Sequence, residues 1–222
     1  MLSTLALTAL VAVAPASLPA GSYTYTASLD GTPTGTSSLT VSRDGELTHI
    51  DEKASGTANG MDFAGTATLV LGADLAPTHY DGSYKLAGQN ASVSAALTPT
   101  TATVKSSATG GQPQTFSLGT AASHFVVIEP GLVAGFLALP AQMQAWNGGA
   151  VSAIAPAFGR EVPIVPQPPA GPLAPPAGVP AQDAALSIGG HLPFTIWYDP
   201  ATLIPDEIVV PSQNATVTRV RG

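Results

Sequence analysis

Residues Thr34–Glu46 read TGTSSLTVSRDGE. Gly35, Ser37, Leu39 and Val41 alternate with Thr34, Thr36, Ser38 and Thr40, and the run ends at Arg43-Asp44-Gly45-Glu46. A period of two sends successive side chains to opposite faces of an extended chain, and Asp-Gly between alternating runs signals a hairpin. The stretch predicts antiparallel strands with one face packed and one face wet. The same period holds outward from it. Tyr23, Tyr25, Ala27 and Leu29 alternate with Thr24, Thr26 and Ser28, and the pattern returns over Met61–Leu71 and Ala91–Leu97. Asp30-Gly31, Asn59-Gly60 and Gly110-Gly111 supply further turns. Asp81-Gly82 reads as a turn or, because Tyr80, Tyr84 and Leu86 keep the period across it, as a strand with a bulge. Residues 22–128 therefore predict a meander of about eight strands.

The wet face is written in Thr and Ser rather than Lys and Glu, and the branched β-carbon of Thr suits a pleated surface. This explains the composition. Only 9% of the 222 residues are charged, against an ordinary share of about 25%. The chain has no Cys, which excludes a thiol nucleophile, a disulfide framework, a Cys-ligated metal or a lipid-bearing Cys. Seven scattered basic residues against fourteen acidic ones, net charge -7, argue against a nucleic-acid partner. A hydrophobic share of 45% argues against disorder.

One segment leaves the period of two. In PGLVAGFLALPAQMQAWNGG, starting at Pro130, the residues Leu132, Phe136, Leu139, Met143 and Trp146 recur at helical spacing. They predict an amphipathic helix, opened by Pro130, closed by Gly148-Gly149, and split or kinked at Pro140. Strands return at Val151–Ala155, Phe158–Val165, Ala184–Leu192, Phe194–Tyr198, Glu207–Val210 and Ala215–Val220. Among them Pro163–Pro180 holds eight prolines in PIVPQPPAGPLAPPAGVP, which predicts a long exposed loop within one domain spanning residues 21–222. The fold class expected is mainly β: a strongly curved antiparallel half-barrel or open barrel of about 11–13 strands with one kinked helix on its concave side.

The apolar run LSTLALTALVAVA at residues 2–14 has the length of a signal-peptide core, followed by small-residue cleavage patterns at Ala14-Pro15-Ala16 and Leu18-Pro19-Ala20. It predicts residues 1–20 as a signal peptide and a periplasmic or secreted protein. No later stretch is long and apolar enough for a transmembrane span.

The polar residues offer no reactive constellation. His79, Asp81 and Ser83 share a strand face, but a step of about 6.6 Å between them exceeds a hydrogen bond, so they read as solvated surface. His49 and Asp51 also share a face, with Glu52 pointing the other way. His124 and His191 stand alone, so no metal site or cofactor is expected. No nucleophile elbow, phosphate loop or dinucleotide fingerprint occurs, and two carboxylates or a His-carboxylate pair converging in a cleft are the enzymatic arrangements left open.

The layout resembles the exported bacterial families grouped around the lipoprotein carriers LolA and LolB. The likeness rests on an opening strand Ser22–Leu29, the strand Gly35–Val41 with its hairpin at Asp44-Gly45, and Thr68–Leu75 with Leu75-Ala76-Pro77-Thr78-His79-Tyr80. Late in the chain, PFTIWYDP at Pro193–Pro200 precedes Ile204–Val210 and a closing strand ending Thr218-Arg219. The resemblance implies an incomplete barrel whose apolar concavity holds acyl chains. The expected function is thus a non-enzymatic exported protein that binds a lipid, another hydrophobic ligand or a lipidated partner, with Leu132, Phe136, Leu139, Met143, Trp146 and Trp197 as ligand-binding residues. The same helix stripe also reads as a plug of the core, joined by one of Trp197 and Tyr198, which lie on opposite strand faces. Two other readings remain: an envelope protein-interaction module using the Thr-rich face, a sheet edge or the Pro-rich loop, and a hydrolase of uncharacterised type.

Overall fold

The computed structural model describes residues 17–58, 60–86, 88–129, 131–167, 173–190 and 193–221. The apolar run 2–14, Pro130, His191 and part of the Pro-rich loop lie outside them.

Eight strands run in chain order as a meander: β1 (Gly21–Leu29), β2 (Thr32–Asp44), β3 (Leu47–Ala58), β4 (Met61–Leu71), β5 (Pro77–Leu86), β6 (Gln89–Leu97), β7 (Thr101–Ser106) and β8 (Gln114–Ser117). A second set follows: β9 (His124–Val127), the helix α1 (Ala134–Ala145), β10 (Val151–Ala155), β11 (Arg160–Pro166), β12 (Ala184–Gly189), β13 (Phe194–Tyr198), β14 (Pro205–Val210) and β15 (Ala215–Arg219). The two sets form one fifteen-stranded sheet, joined at its middle by antiparallel pairing of β1 with β15. The sheet is curved and not closed into a barrel. The strand count exceeds the expected 11–13 because the short strands β8 and β9, at the two rims, carry too little alternation to be read from sequence.

Asp81-Gly82 makes no turn. β5 runs straight through it in unbroken register with β4 and β6 from His79 to Leu86. Tyr84 accounts for the glycine: its ring lies along the strand over Gly82, where an added β-carbon would meet the tyrosine hydroxyl at 2.4 Å.

The pair β9–β10 is parallel, and α1 is the crossover between them. Parallel neighbours need such a connection, since a tight turn only reverses the chain. The helix runs unbroken through Pro140 as one element. It packs against β3, β4, β9, β13 and β14, inside the curve of the sheet. Nine of its twelve residues are buried, among them Leu137, Ala138, Leu139, Pro140, Ala141 and Gln142, so the amphipathic stripe expected from the sequence is not what the helix presents: it is apolar nearly all round. An all-round apolar helix belongs in an interior. Gly135 lets it approach β9, since a β-carbon there would fall 1.8 Å from the Val127 carbonyl oxygen.

The inner face of the first meander supplies Tyr25, Leu39, Ile50, Leu69, Tyr80 and Val104 to a core continuous with the helix and with Ile154, Ile196 and Ile208 of the second set. Among the described residues no helix is long and apolar enough to cross a membrane. The stretch Pro163–Pro180 is not the exposed loop expected throughout: Pro163–Pro166 belong to β11, paired with β10 and β12, and Pro175, Pro176, Val179 and Pro180 are half-buried.

Candidate functional site

The residues singled out from the sequence divide. Leu132, Leu139 and Met143 are buried in the core around α1. Phe136 is half-buried, edge-on to Phe194 at a centroid distance of 5.2 Å. Trp146, just past the helix, donates its indole N–H to the Asp74 carbonyl at 2.9 Å and stacks on His124 at 4.1 Å. Trp197 does not join them. It pairs across the sheet with Ala185 and Glu207, on the face opposite Ile196 and Ile208, so Tyr198 rather than Trp197 packs with the core. Strand alternation puts the two aromatics on opposite faces, and Trp197 is buried on its own face.

An open cavity of about 350 Å³ lies at the C-terminal end of α1, lined by Pro140, Met143, Gln144, Asn147, Leu186 and Tyr198. It is where the apolar interior meets solvent. A larger trough of about 630 Å³ lies on the other, wet face of the first meander. Its floor follows the register: Asp51, Thr68, Asp81, Ser94 and Lys105 form one row across β3–β7. Thr66, Ser83 and Ser92 stand in the next row. Two of its carboxylates are held: the Thr68 hydroxyl donates to Asp51 at 2.6 Å, and His79 Nε2 lies 2.5 Å from Asp81 Oδ2. The second contact corrects the expectation that His79 and Asp81 are too far apart. Side chains lean along a strand, and two long ones on the same face close a gap that the backbone rise leaves open.

Beneath the sheet, Glu52 of β3 caps α1. Its carboxylate accepts the N–H of Val133 at 2.8 and 2.9 Å and of Ala134 at 2.7 Å, and the Ser37 hydroxyl also donates to it. Val133 has no side-chain oxygen to cap the helix itself, so a carboxylate from another element satisfies the leading N–H groups. Burial pushes the Glu52 carboxyl above its ordinary range, against the lowering effect of Ser37 and the two helix N–H groups. Burial also pushes Glu129 up, to about 7, against the single hydrogen bond from the Ala157 N–H. At the far end of the helix the Gln142 amide donates to the Leu75 carbonyl at 3.0 Å.

A carboxylate pair does converge. Asp183, just before β12, lies against Asp206 of β14 and is pushed up to about 6 by burial first and by Asp206 second. Asp206 is held by Arg219 at 3.5 Å and Arg221 at 2.5 Å. Neither acid lines either cavity, and paired guanidiniums suit a structural tie better than acid–base exchange with a substrate. Among the described residues no three His, Asp or Glu side chains gather as a metal centre requires. The Glu52 cap and the buried Glu129 escaped the sequence reading. An acidic residue on the inward parity of a strand was the available signal for Glu52, whereas Glu129 sits in a turn that has no parity.

No family model, no curated protein and no solved structure matches the chain.

Proposed function

We propose that the protein is an exported, non-enzymatic binding protein that takes an apolar ligand, such as a lipid or the acyl chain of a lipidated partner, into the concavity beside α1. The observation that carries this reading is the cavity at the helix's C-terminal end. There Met143, Leu186 and Tyr198 line a mixed opening together with Gln144 and Asn147, its apolar share slightly the larger. Concave, mostly apolar openings with a few polar groups at the rim are the usual form of small-molecule sites. Gln144 and Asn147 supply that rim. The neutral fluorescent probe N-phenyl-1-naphthylamine tests it. Saturable binding is expected, lost in Leu186→Trp, which fills the opening. A full chain that binds no probe and carries no ligand in native mass spectrometry sinks the reading.

A second reading has its own observation: the larger trough lies outside, on the hydroxyl-rich face. Exposed Asp51 and Asp81, each anchored at one oxygen, fit a docking surface for a polar envelope partner. A photo-crosslinker at Thr66 should then capture one partner that the same crosslinker at Thr26, on the same face but outside the trough, does not. Equal capture at both positions removes this alternative.

A further inference from the structure

Glu129 sits in the turn between β9 and α1 and is 3% exposed. Its Oε2 accepts the N–H of Ala157 at 2.9 Å, in the 3-10 turn Pro156–Phe158 that follows β10. Its Oε1 is buried with no hydrogen-bond partner. On the other side of the same residue, the Ala157 carbonyl accepts the Ser106 hydroxyl of β7 at 2.9 Å. The peptide of Ala157 is thus pinned between Glu129 and Ser106. This is the seam of the fold: the 156–158 turn packs on β6 and β7, and β9 lies against β5, so that the curled sheet shuts over its own interior.

The titratable groups close to Glu129 are the Tyr80 and Tyr84 phenols of β5, whose hydroxyls contact each other. Among them there is no cation. An ionised carboxylate there has one donor and two phenols for company, and burying such a charge without a counter-ion is costly. The neutral acid bears a smaller cost, that of one unpaired buried oxygen.

We propose that Glu129 is a proton-operated latch on this seam. Protonated, it keeps the seam shut. Ionised, it admits water, releases Ala157 and lets β9, the leading turn of α1 and the 156–158 turn part from β5–β7. The latch stands apart from the proposed apolar opening at the far end of α1, whose lining holds none of the seam residues. The sign follows from the two states. The carboxyl of the closed seam titrates at about 7, that of the open seam in the ordinary range near 4.5. Opening therefore rises by up to about tenfold per pH unit between those values and levels off above the higher one.

Amide hydrogen exchange on the full chain, from about pH 5 to about pH 8 and divided by intrinsic rates, reads this directly. Residues 124–129, 131–134 and 156–160 of the wild type should open up to about a hundredfold more between pH 5 and 7, then plateau, while β2–β4, which open only with the whole fold, stay more protected at every pH. Glu129→Gln should abolish the slope. A slope that survives in E129Q, or no slope in the wild type, overturns the latch. If E129Q does not fold, the infrared carboxylic-acid band of the wild type decides. A band that persists toward neutrality and fades in step with exchange supports the latch, and its loss before opening begins overturns it. Binding of N-phenyl-1-naphthylamine, uncharged across this range, is followed in parallel. A Glu129-dependent exchange slope without probe binding at any pH removes the ligand site alone. Probe binding with pH-independent exchange removes the latch alone.

Discussion

The two meanders that meet at β1–β15 are built on different terms. β1–β7 are strands of up to thirteen residues that alternate strictly, with hydroxyl side chains outside and apolar ones within. The strands from β9 to β15 are four to seven residues long, and several are buried on both faces: Val151–Ile154 of β10 and Pro205–Ile208 of β14 have no exposed residue. The first meander is a one-sided wall, whereas β10 and β14 of the second are packed from both sides, so the same pleat yields a legible pattern in one and a nearly continuous apolar run in these two strands. The contrast teaches where function and stability sit. The wall carries the wet trough. The second half carries α1, the cavity beside it and the buried carboxylates Glu129, Asp183 and Glu207.

Four experiments would break or sharpen this contrast. The largest effect is expected from Gly135→Val. Its β-carbon collides with the Val127 backbone, so α1 must withdraw from β9. A loss of more than about 4 kcal/mol in denaturant unfolding, with exchange protection lost first in β9 and β10, is expected. Uniform loss across β2–β5 would show that the halves do not differ in this way.

The pH profile comes next. Glu129 and Asp183 have folded-state pKa values raised to about 7 and about 6. A raised acid pKa contributes stability that is complete below the unfolded value and is lost as pH rises through the folded one. The thermal midpoint should therefore fall between about pH 4.5 and pH 7, by the equivalent of about 3 kcal/mol for Glu129 at most. A midpoint that climbs over that window contradicts the assignment.

Glu52→Ala joins the halves, because a wall strand caps the helix of the other half. It strands two helix N–H groups and the Ser37 hydroxyl, and should cost about 2 kcal/mol. The smallest effect is expected on the wall's outer face. Asp81→Asn alters an exposed pair with His79 and should change stability by less than about 0.5 kcal/mol, seen as an unmoved unfolding midpoint.

Legibility in the sequence follows the same divide. Tyr23–Leu29 and Gly35–Val41 announced their strands because one side of each meets water. Of the turns, Asp30-Gly31 and Asp44-Gly45 fell where the hairpins close. The late strands Phe194–Tyr198 and Ala215–Arg219 were also readable, being short runs bounded by turn residues. The helix was readable as a helix, because Leu132, Phe136, Leu139 and Met143 do recur at its spacing. Its burial was not, since Leu137, Ala138 and Ala141 fill the positions between and are as apolar as the stripe. Alternation showed that only one of Trp197 and Tyr198 could join the core around α1 but not which one, because both faces of that strand are partly covered. The Glu129 environment is assembled from β5, β9 and the 156–158 turn, and contacts so distant in sequence leave no periodic trace.

Placing the first strand beside the last also fixes the order in which the sheet can be finished. β1 pairs with β2 as soon as both exist, but its other edge stays bare until Ala215–Arg219 has been made. A chain growing from its N-terminus therefore completes the middle of the sheet last, across the longest loop closure available to it. Until then the bare edge is a template for any passing strand, with Ser and Thr on its wet face and Tyr23, Tyr25, Ala27 and Leu29 on the other. Shortening the chain by its final ten residues would not trim a rim. It would split the sheet down its centre.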